Sequence, residues 1–396
     1  MHMPPPEPLR ETVVRVEPPR DRFTLLVTPA GDFLGVDDAG DLVVISQADD
    51  RAPWEEVSGG YRHVATGQDV TAARAAGGDG VLTFRGRRER FRRARGPARM
   101  PTEYLREFRE QGWVCLAGVL DPDTVYGLQR VAGCGRWSGR EYDRNVSALE
   151  QHAAVARASA EPVSLWLARQ YMGTDEIRFA HPPSFAVLDP DDGERDVQGW
   201  HSDFPYLWGI DRGVGGGRIP VRKTGDLVLG IQRNICVTDF TRSNGATRFK
   251  LGSHRRNVGP PAEWGLGVAY RRPGHRNQHG LPYGGPEAEV IEAPAGSILL
   301  FDARTWHRAG LNETESRRAA ILQAVTPPYI MPFADSGAAF KTFVKSAPWQ
   351  EITDRERREL ESLLVYEIVG PRGRQAITVD DELTERRWAD AGASES

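Results

Sequence analysis

Two short segments of the chain carry residue types that bind metal ions, at a spacing that fits a single site. His201 and Asp203 stand two residues apart, and His307 follows much later in the chain. Side chains two residues apart project from the same face of a β-strand, so His201 and Asp203 can reach one ion while His307 arrives from a neighbouring strand. Two imidazoles and one carboxylate bind Fe(II) on one face and leave the other positions open for an oxidant and a substrate. We therefore expect His201, Asp203 and His307 to be the metal ligands and the catalytic residues of an Fe(II) centre.

An arginine downstream of the third ligand adds a second chemical group. Arg318 lies eleven residues after His307 and begins the apolar run 319–322, which is typical of a buried strand. Its guanidinium is suited to pair with the distal carboxylate of 2-oxoglutarate through two parallel hydrogen bonds. Arg317 is the alternative, because neighbouring strand residues face opposite sides and only one of the two can point inward. A lone His-x-Asp triplet is common by chance, so the combination with His307 and the arginine is what favours a metal centre.

The composition is that of a globular protein and excludes several other classes. The 396 residues are 39% hydrophobic and 27% charged, with a net charge of −4, which gives no reason to expect a nucleic acid as partner. Cys115, Cys134 and Cys236 form neither a C-x-x-C pair nor a disulfide framework, and this favours a reducing compartment. No apolar run is long enough to span a membrane. We expect a cytoplasmic protein that acts on a small molecule.

The N-terminal part predicts a small module in front of a larger domain. Residues 1–20 are rich in proline and are expected to be extended or mobile. Over residues 21–95, short apolar segments alternate with turn sequences, which indicates a β-rich meander that either docks a ligand or partner or covers an edge of the main sheet. At its boundary with the main domain, residues 85–99 contain eight arginines and are interpreted as a solvated linker or surface segment, with an anion-binding patch as the alternative. The main domain occupies residues 96–396 and has a helical tail, in which Thr353 is expected to cap a charged helix.

Four segments of the main domain occur in an order and spacing that a known family shares. They are the helix, strand and turn over residues 104–123, the segment His201-Ser202-Asp203-Phe204, the Asn244-Gly245 turn that leads into Gly252-Ser253-His254, and the strand 295–301 that leads through Trp306-His307 to Arg318. In these segments the chain resembles the phytanoyl-CoA dioxygenase family of Fe(II)- and 2-oxoglutarate-dependent oxygenases. The resemblance covers about residues 101–330 and does not extend to residues 1–95.

The resemblance implies both a fold and a reaction. The fold is mainly β with flanking helices, a double-stranded β-helix or jelly roll of two antiparallel sheets. The cofactors are Fe(II), 2-oxoglutarate as cosubstrate and O2, and the family's spacing favours Arg318 over Arg317 as the cosubstrate anchor. The reaction is oxidation of an unactivated C–H position, with release of succinate and CO2; hydroxylation, desaturation, cyclisation and epoxidation differ in how the substrate is placed. Related halogenases carry a small residue where this chain has Asp203, so its carboxylate favours oxygenation.

Further contacts follow less directly from the sequence. Gln198 and Asn234 are expected to contact the cosubstrate, although each could be an ordinary strand residue, and His254 is interpreted as structural. The substrate contacts are expected from Phe204, Tyr206 and Trp208. A glycine-rich stretch over residues 213–217 is expected either to form a mobile lid, with Arg218, Arg222 and Lys223 able to hold a carboxylate or phosphate of the substrate, or to be a flexible surface loop. A second loop over residues 255–288, with His275 and His279, is expected to close the other side of the site.

Two alternatives to an oxygenase remain at this point. One is a non-catalytic jelly-roll binding protein whose N-terminal module docks a ligand or partner, and a complete set of three ligands with an arginine speaks against it. The other is a Zn(II) hydrolase, but Zn(II) prefers tetrahedral sites and would leave the arginine without a role. The substrate that we favour is an intermediate of specialised metabolism, and the sequence leaves the oligomeric state open.

Overall fold

The computed structural model describes most of the chain. The described residues are 11–74, 79–135, 137, 143, 146–210, 219, 227–261, 264, 274–281, 283–285, 287–332, 334–371 and 373–376. The strands are β1 Glu11–Arg15, β2 Thr24–Val27, β3 Phe33–Val36, β4 Leu42–Ile45, β5 Pro53–Val57, β6 Gly60–His63, β7 Asp69–Arg74, β8 Asp79–Phe84, β9 Arg87–Arg95, β10 Trp113–Leu116, β11 Arg178–Phe179, β12 Ser184–Leu188, β13 Ile231–Cys236, β14 Arg248–Lys250, β15 Ala288–Glu292, β16 Ile298–Asp302, β17 Trp306–Arg308, β18 Arg318–Thr326, β19 Glu367–Gly370 and β20 Gly373–Ala376.

Short helices connect and cover these strands. They are α1 Pro101–Gln111, α2 Pro122–Ala132, α3 Ala148–Gln151, α4 Ala153–Ser159, α5 Pro162–Met172, α6 His275–His279, α7 Gly337–Val344, α8 Ala347–Gln350 and α9 Asp354–Leu364, with a 3-10 turn at Ser253–Arg256. Local sequence explains their ends: Asp121 accepts a hydrogen bond from the backbone of Thr124 at the start of α2, and Thr353 and Glu356 form a capping box at the start of α9. Among the described helices, none combines the length and the apolar character that a membrane-spanning helix requires.

Two sheets face each other in the main domain and form the expected jelly roll. The larger sheet runs in the order β10-β16-β13-β18-β11, with β12 also paired to β18, and the smaller runs β1-β15-β14-β17. All pairings in these two sheets are antiparallel except that of β1 with β15, which is parallel. The expectation of a mainly β jelly roll with flanking helices is confirmed.

Helices cover one face of the larger sheet and leave the other face for a cavity. The covered face contributes to the main hydrophobic core, where Ile231, Ile235, Leu300 and Ile321 are fully buried against the helical segments between residues 104 and 172. Arg233 is fully buried on the same face, where its guanidinium donates to Ser164 Oγ at 2.9 Å, to Ala158 O at 2.7 Å and to Gln323. These bonds satisfy a charge that burial alone would make costly.

The N-terminal module is a small closed barrel. Strands β2, β5, β6, β7, β8 and β9 pair in that order, and β9 pairs back to β2, while β3 and β4 extend the sheet beyond β2. Its core contains Leu26, Trp54, Tyr61 and Phe91, and the indole of Trp54 donates to Leu34 O at 2.8 Å. The other face of β2 and β3 contributes to the core of the main domain. The division of the chain at residue 95 stays a prediction, because the two parts share buried residues.

Two segments of the N-terminal part form strands that the sequence analysis did not predict. Residues 11–15, expected to be extended or mobile, are extended: they form β1 beside β15, because Val13 and Val14 suit a strand. Glu11 accepts a hydrogen bond of 2.9 Å from Arg248 on β14, the strand beyond β15. Residues 1–10 lie outside the described residues. The arginine-rich segment is a surface strand and not a linker: residues 87–95 form β9, in which Phe91 is buried in the barrel core and the arginines are exposed.

We predict that Glu11 stabilises the smaller sheet. Burial on its own would raise the pKa of Glu11, but hydrogen bonds and charges from Arg248, Arg242 and Arg308 outweigh burial and lower it below its ordinary 4.5. A hydrogen bond to a charged group contributes about 1.5–3 kcal/mol, so Glu11→Gln is expected to lower the free energy of unfolding by about 2 kcal/mol at neutral pH, as measured by urea denaturation.

The pH dependence and a matched control sharpen this test. A depressed folded-state pKa contributes stability above the unfolded value and loses it as pH falls, so the difference between wild type and Glu11→Gln should shrink below pH 4.5. Arg15→Gln removes the neighbouring ion pair to Glu292, whose arginine is 72% exposed, and should have little effect. Equal losses in the two variants would contradict a specific role for Glu11.

Candidate metal centre

A pair of backbone hydrogen bonds brings the two histidines together. His201 and His307 form an isolated antiparallel bridge in which each backbone N–H donates to the other's carbonyl oxygen at 2.9 Å. The backbone N–H of Asp203 donates to Ala303 O, also at 2.9 Å. One ligand atom from each of His201, Asp203 and His307 lies within 4.8 Å of the others. The structure therefore assembles the three residues that the sequence analysis selected as metal ligands.

The side chains are oriented as metal ligation requires. Nδ1 of His201 lies 2.8 Å from Gly199 O, and Nδ1 of His307 lies 2.9 Å from Thr305 O, so each Nδ1 donates to a carbonyl. This tautomer leaves the lone pair on Nε2. The two Nε2 atoms face Asp203, at 3.6 Å from Oδ1 for His201 and 3.1 Å from Oδ2 for His307. Two imidazole nitrogens and one carboxylate thus converge on one point, which is the donor set that suits Fe(II).

Electrostatics keep the carboxylate ionised. Burial on its own would raise the pKa of Asp203, but the charges and hydrogen bonds of His307 and His201 outweigh burial and lower it. Burial lowers the pKa of His201, and the nearby His307 lowers it further. For His307 burial acts in the same direction, but the charge of Asp203 outweighs it and raises the pKa. An ionised carboxylate beside two imidazoles is ready to take a cation in place of the protons.

The loop that carries His201 and Asp203 is fixed by its own downstream turn. The hydroxyl of Ser202, between the two ligands, accepts from the backbone N–H of Trp208 at 2.9 Å, and the N–H of Ser202 donates to Trp208 O at 2.8 Å. Leu207 donates its N–H to Asp203 O at 2.9 Å and has a φ of 55°, a left-handed conformation that is unusual for leucine. Such strain is found at functional sites, and the side chain of Leu207 lies at the wall of the cavity described next.

A cavity of about 670 Å³ opens onto the three ligands and extends to Arg318. Nη2 of Arg318 donates to Gly245 O at 2.8 Å, while its buried Nε has no hydrogen-bond partner among the described residues. Burial lowers the pKa of Arg318 to about 10, so the guanidinium is charged at neutral pH. A buried cation with unused donor capacity fits the carboxylate of a bound anion. Arg317 points elsewhere and pairs with Asp189 at 2.9 Å.

The other predicted contacts separate into two groups. Gln198, Asn234 and Phe204 line the cavity. Tyr206 and Trp208 are fully buried in a separate apolar cluster, where the Tyr206 hydroxyl donates to Leu227 O at 3.3 Å and the Trp208 indole donates to Ile219 O at 2.8 Å. Neither is among the described residues of the cavity wall. A role for these two in substrate binding stays a prediction that the geometry does not favour.

Some residues of the cavity wall were missed by the sequence analysis. Gln232 lies two residues before Asn234 on β13 and therefore on the same face of the strand, so the alternation of side chains could have found it. His181 and Leu207 also line the cavity, but they lie in segments without a regular pattern, and no sequence signal marked them. His254 is buried outside the group of three ligands, in agreement with a structural role.

Parts of the two expected lids lie outside the described residues. This holds for residues 213–217, Arg218, Arg222 and Lys223, and for the side chains of His275 and His279. The described part of the second loop contacts the segment that precedes His201: Arg276 pairs with Asp191 through bonds of 2.7 and 3.0 Å, and Trp200 donates to Gly284 O at 2.9 Å. A lid function for either loop stays a prediction.

Comparison with known proteins identifies relatives of the main domain. A family model described as phytanoyl-CoA dioxygenase (PhyH) matches residues 108–320, more than half of the chain. Among curated proteins, the dioxygenase cdmA of Talaromyces verruculosus is 30% identical over 126 residues, which is 32% of this chain and 36% of that protein. The dioxygenase hkm4 of Aspergillus hancockii is 29% identical over 152 residues, 38% of this chain and 39% of that protein. The matches therefore span well under half of these relatives' lengths.

Comparison with solved structures also found proteins that are similar to this chain at low sequence identity. HygX from Streptomyces hygroscopicus, solved with nickel and 2-oxoglutarate bound, has a TM-score of 0.43 and 16% identity, covering 60% of this chain and 92% of that chain. SnoN, a non-haem α-ketoglutarate-dependent epimerase from nogalamycin biosynthesis, has a TM-score of 0.38 and 18% identity, covering 58% of this chain and 81% of that chain. These likenesses are distant.

We predict that Arg318, and not Arg317, determines the affinity for 2-oxoglutarate. Replacing Arg318 by Gln removes a charged hydrogen-bond donor worth about 1.5–3 kcal/mol, so the Kd for 2-oxoglutarate should rise about tenfold or more. Isothermal titration calorimetry of the Mn(II)-loaded protein under anaerobic conditions measures this Kd. Arg317→Gln is the matched control and should leave it unchanged. A Kd that depends on Arg317 instead would show that the cosubstrate binds elsewhere.

Proposed function

We propose, from the premise that this chain belongs to the phytanoyl-CoA dioxygenase family, that it is an Fe(II)- and 2-oxoglutarate-dependent oxygenase of a small molecule. Membership rests on the family match over residues 108–320 and confirms the resemblance seen in the sequence. The observation that carries the proposed activity is the convergence of His201, Asp203 and His307 within 4.8 Å at the end of a cavity that also contains Arg318.

Each residue of the site has a defined task in this proposal. His201 and His307 hold Fe(II) through Nε2 and Asp203 holds it through its carboxylate, while Arg318 receives the distal carboxylate of 2-oxoglutarate. Asn234 and Gln198 lie on the wall of the same cavity and orient the cosubstrate. When bound, the iron and 2-oxoglutarate supply the activation of O2 that oxidises a C–H bond, with release of succinate and CO2. The chain's own contribution is to hold these groups in fixed positions and to exclude bulk water.

The cavity indicates the kind of substrate. Its volume of about 670 Å³ is in the range of sites for small organic ligands and is larger than the cosubstrate alone requires. Much of the wall is apolar, with Ala186, Val187, Phe204, Leu207, Ile210 and Ala324, and it includes polar groups from Gln232 and His181. We infer a compact, largely apolar substrate with a hydrogen-bonding oxygen or nitrogen, such as an intermediate of specialised metabolism. Whether the product is hydroxylated, desaturated, cyclised or epoxidised depends on which carbon faces the iron.

A non-catalytic binding protein is the alternative from another class. The barrel of residues 24–95 would then capture a ligand, and the jelly roll would be a scaffold. The three aligned ligands and the buried Arg318 argue against it, because a scaffold needs neither an ionised carboxylate in the interior nor a buried guanidinium with unused donors.

The deciding experiment is an anaerobic titration of metal-free protein with Fe(II) and then 2-oxoglutarate. A chelated 2-oxo acid gives a visible charge-transfer band, which we expect in the wild type and not in His307→Ala, because two ligands hold the iron too weakly. His254→Ala is the matched control, since it removes a buried histidine outside the group of ligands, and it should keep the band. A folded, iron-loaded wild type without the band would reject the oxygenase and favour the binding protein.

A further inference from the structure

The turn between β16 and β17 holds two of the three metal ligands through its backbone. Ala303 O accepts the N–H of Asp203, and Thr305 O accepts the Nδ1–H of His307, both at 2.9 Å. The first bond fixes the position of the Asp203 backbone, from which the carboxylate side chain extends. The second bond fixes the tautomer and the rotation of the His307 imidazole. The geometry of this four-residue turn, residues 302–305, therefore decides how the ligands face the metal.

A buried ion pair within the turn fixes its shape. Asp302 is fully buried, and its Oδ1 accepts from both the backbone N–H and the Nε of Arg304 at 2.9 Å, while its Oδ2 accepts from Nη2 of Arg304 at 2.7 Å. Thr305 closes the turn by donating its N–H to Asp302 O at 2.9 Å. Because two hydrogen bonds join the side chains and a third joins the backbone N–H of Arg304 to the carboxylate, the backbone between these residues has little freedom.

The pair is also anchored to the surrounding structure. The hydroxyl of Tyr171 on α5 donates to Oδ2 of Asp302 at 3.0 Å, and the Tyr171 ring stacks on Phe108 of α1 with centroids 3.7 Å apart. On the other side, Nη1 of Arg304 donates to Asn257 Oδ1 at 3.1 Å. Burial on its own would lower the pKa of Arg304, but the hydrogen bonds and charge of Asp302 outweigh it and raise the pKa, so the guanidinium stays charged. The turn is thus connected to the helical layer and to the loop after the 3-10 turn.

We propose that Asp302 and Arg304 are positioning residues of the metal centre, which align Asp203 and His307 through Ala303 O and Thr305 O. Neither side chain is among the groups that could ligate the ion. A buried ion pair adds little net stability compared with apolar residues of the same size, and such pairs are best understood where they impose a defined geometry. Groups that orient metal ligands change metal affinity about 10- to 100-fold when they are replaced. The inference rests on the proposed metal site and adds to it the part of the structure that gives the site its shape.

The experiment measures Co(II) binding to metal-free protein, which requires no substrate and no turnover. We expect Asp302→Asn and Arg304→Gln each to raise the Kd for Co(II) about 10- to 100-fold and to change the visible Co(II) spectrum, since the ligands relax. Glu359→Gln is the matched control: it breaks another buried ion pair, Arg169 to Glu359 at 2.5 Å between α5 and α9, and should lower the melting temperature without changing the Kd or the spectrum.

The outcomes separate the two proposals. If the wild type does not bind Co(II), the proposed metal centre itself is wrong. If the wild type binds Co(II) and both variants of the pair melt earlier but keep the wild-type Kd and spectrum, the pair only stabilises the fold and the positioning role is rejected. Tyr171→Phe keeps the ring stack and removes one bond to Asp302, so it serves where Asp302→Asn does not fold. An unchanged Co(II) Kd and spectrum in a folded Tyr171→Phe would then count against the inference.

Discussion

The two backbone hydrogen bonds between His201 and His307 are the constraint on which the rest of the site depends. The residues are far apart in sequence, and each belongs to a segment that would present its imidazole in any direction if it were free. The bridge makes them direct neighbours, with Asp203 two residues further along the segment of His201. Because the bridge is made of main-chain atoms, it specifies position without using the side chains, which remain available for a ligand. The jelly roll supplies this bridge by placing the 201 segment beside β17, itself paired with β14.

The two faces of the larger sheet have different roles: one packs against the helices, and the other lines the cavity. One face packs under the helices and contributes to the hydrophobic core, in which each guanidinium nitrogen of Arg233 donates a hydrogen bond. The other face carries Gln232, Asn234 and Arg318 into the cavity. Alternation along β13 and β18 produces this division, because successive side chains point to opposite faces. Polar groups on the cavity face keep hydrogen-bonding capacity that a packed core would not tolerate.

What the sequence could predict depended on how local each signal was. The His201-Asp203 pair and the Thr353 helix cap are encoded within a few residues, and both took the expected geometry. The choice of Arg318 over Arg317 required the family spacing, because alternation alone leaves both open. Strand β1 was missed for two reasons. Its partner β15 is far away in the sequence, with 277 positions between Arg15 and Glu292, and the prolines on both sides of residues 11–15 obscured the short apolar pattern of the strand. Strand β9 was not predicted for a different reason. Its run of arginines suggested an irregular surface segment, but exposed positions on a small barrel can be charged, so a run of arginines does not exclude a strand.

The parallel pairing of β1 with β15 has a consequence for the order in which the molecule is built. Among the described residues, the chain passes first through β1 in the smaller sheet of the main domain and then enters the barrel. The end of the barrel lies beside its beginning, where the N–H of Gly96 donates to Phe23 O and the N–H of Phe23 donates to Pro97 O, both at 3.0 Å. The barrel can close once residue 95 is made, because all its pairings are internal. Strand β1 has no partner until residues 288–292 have been synthesised, so Glu11 and its arginines meet only late. Assembly of the smaller sheet therefore has to wait through most of translation, and in that interval β1 is an unpaired strand that can be captured by another chain.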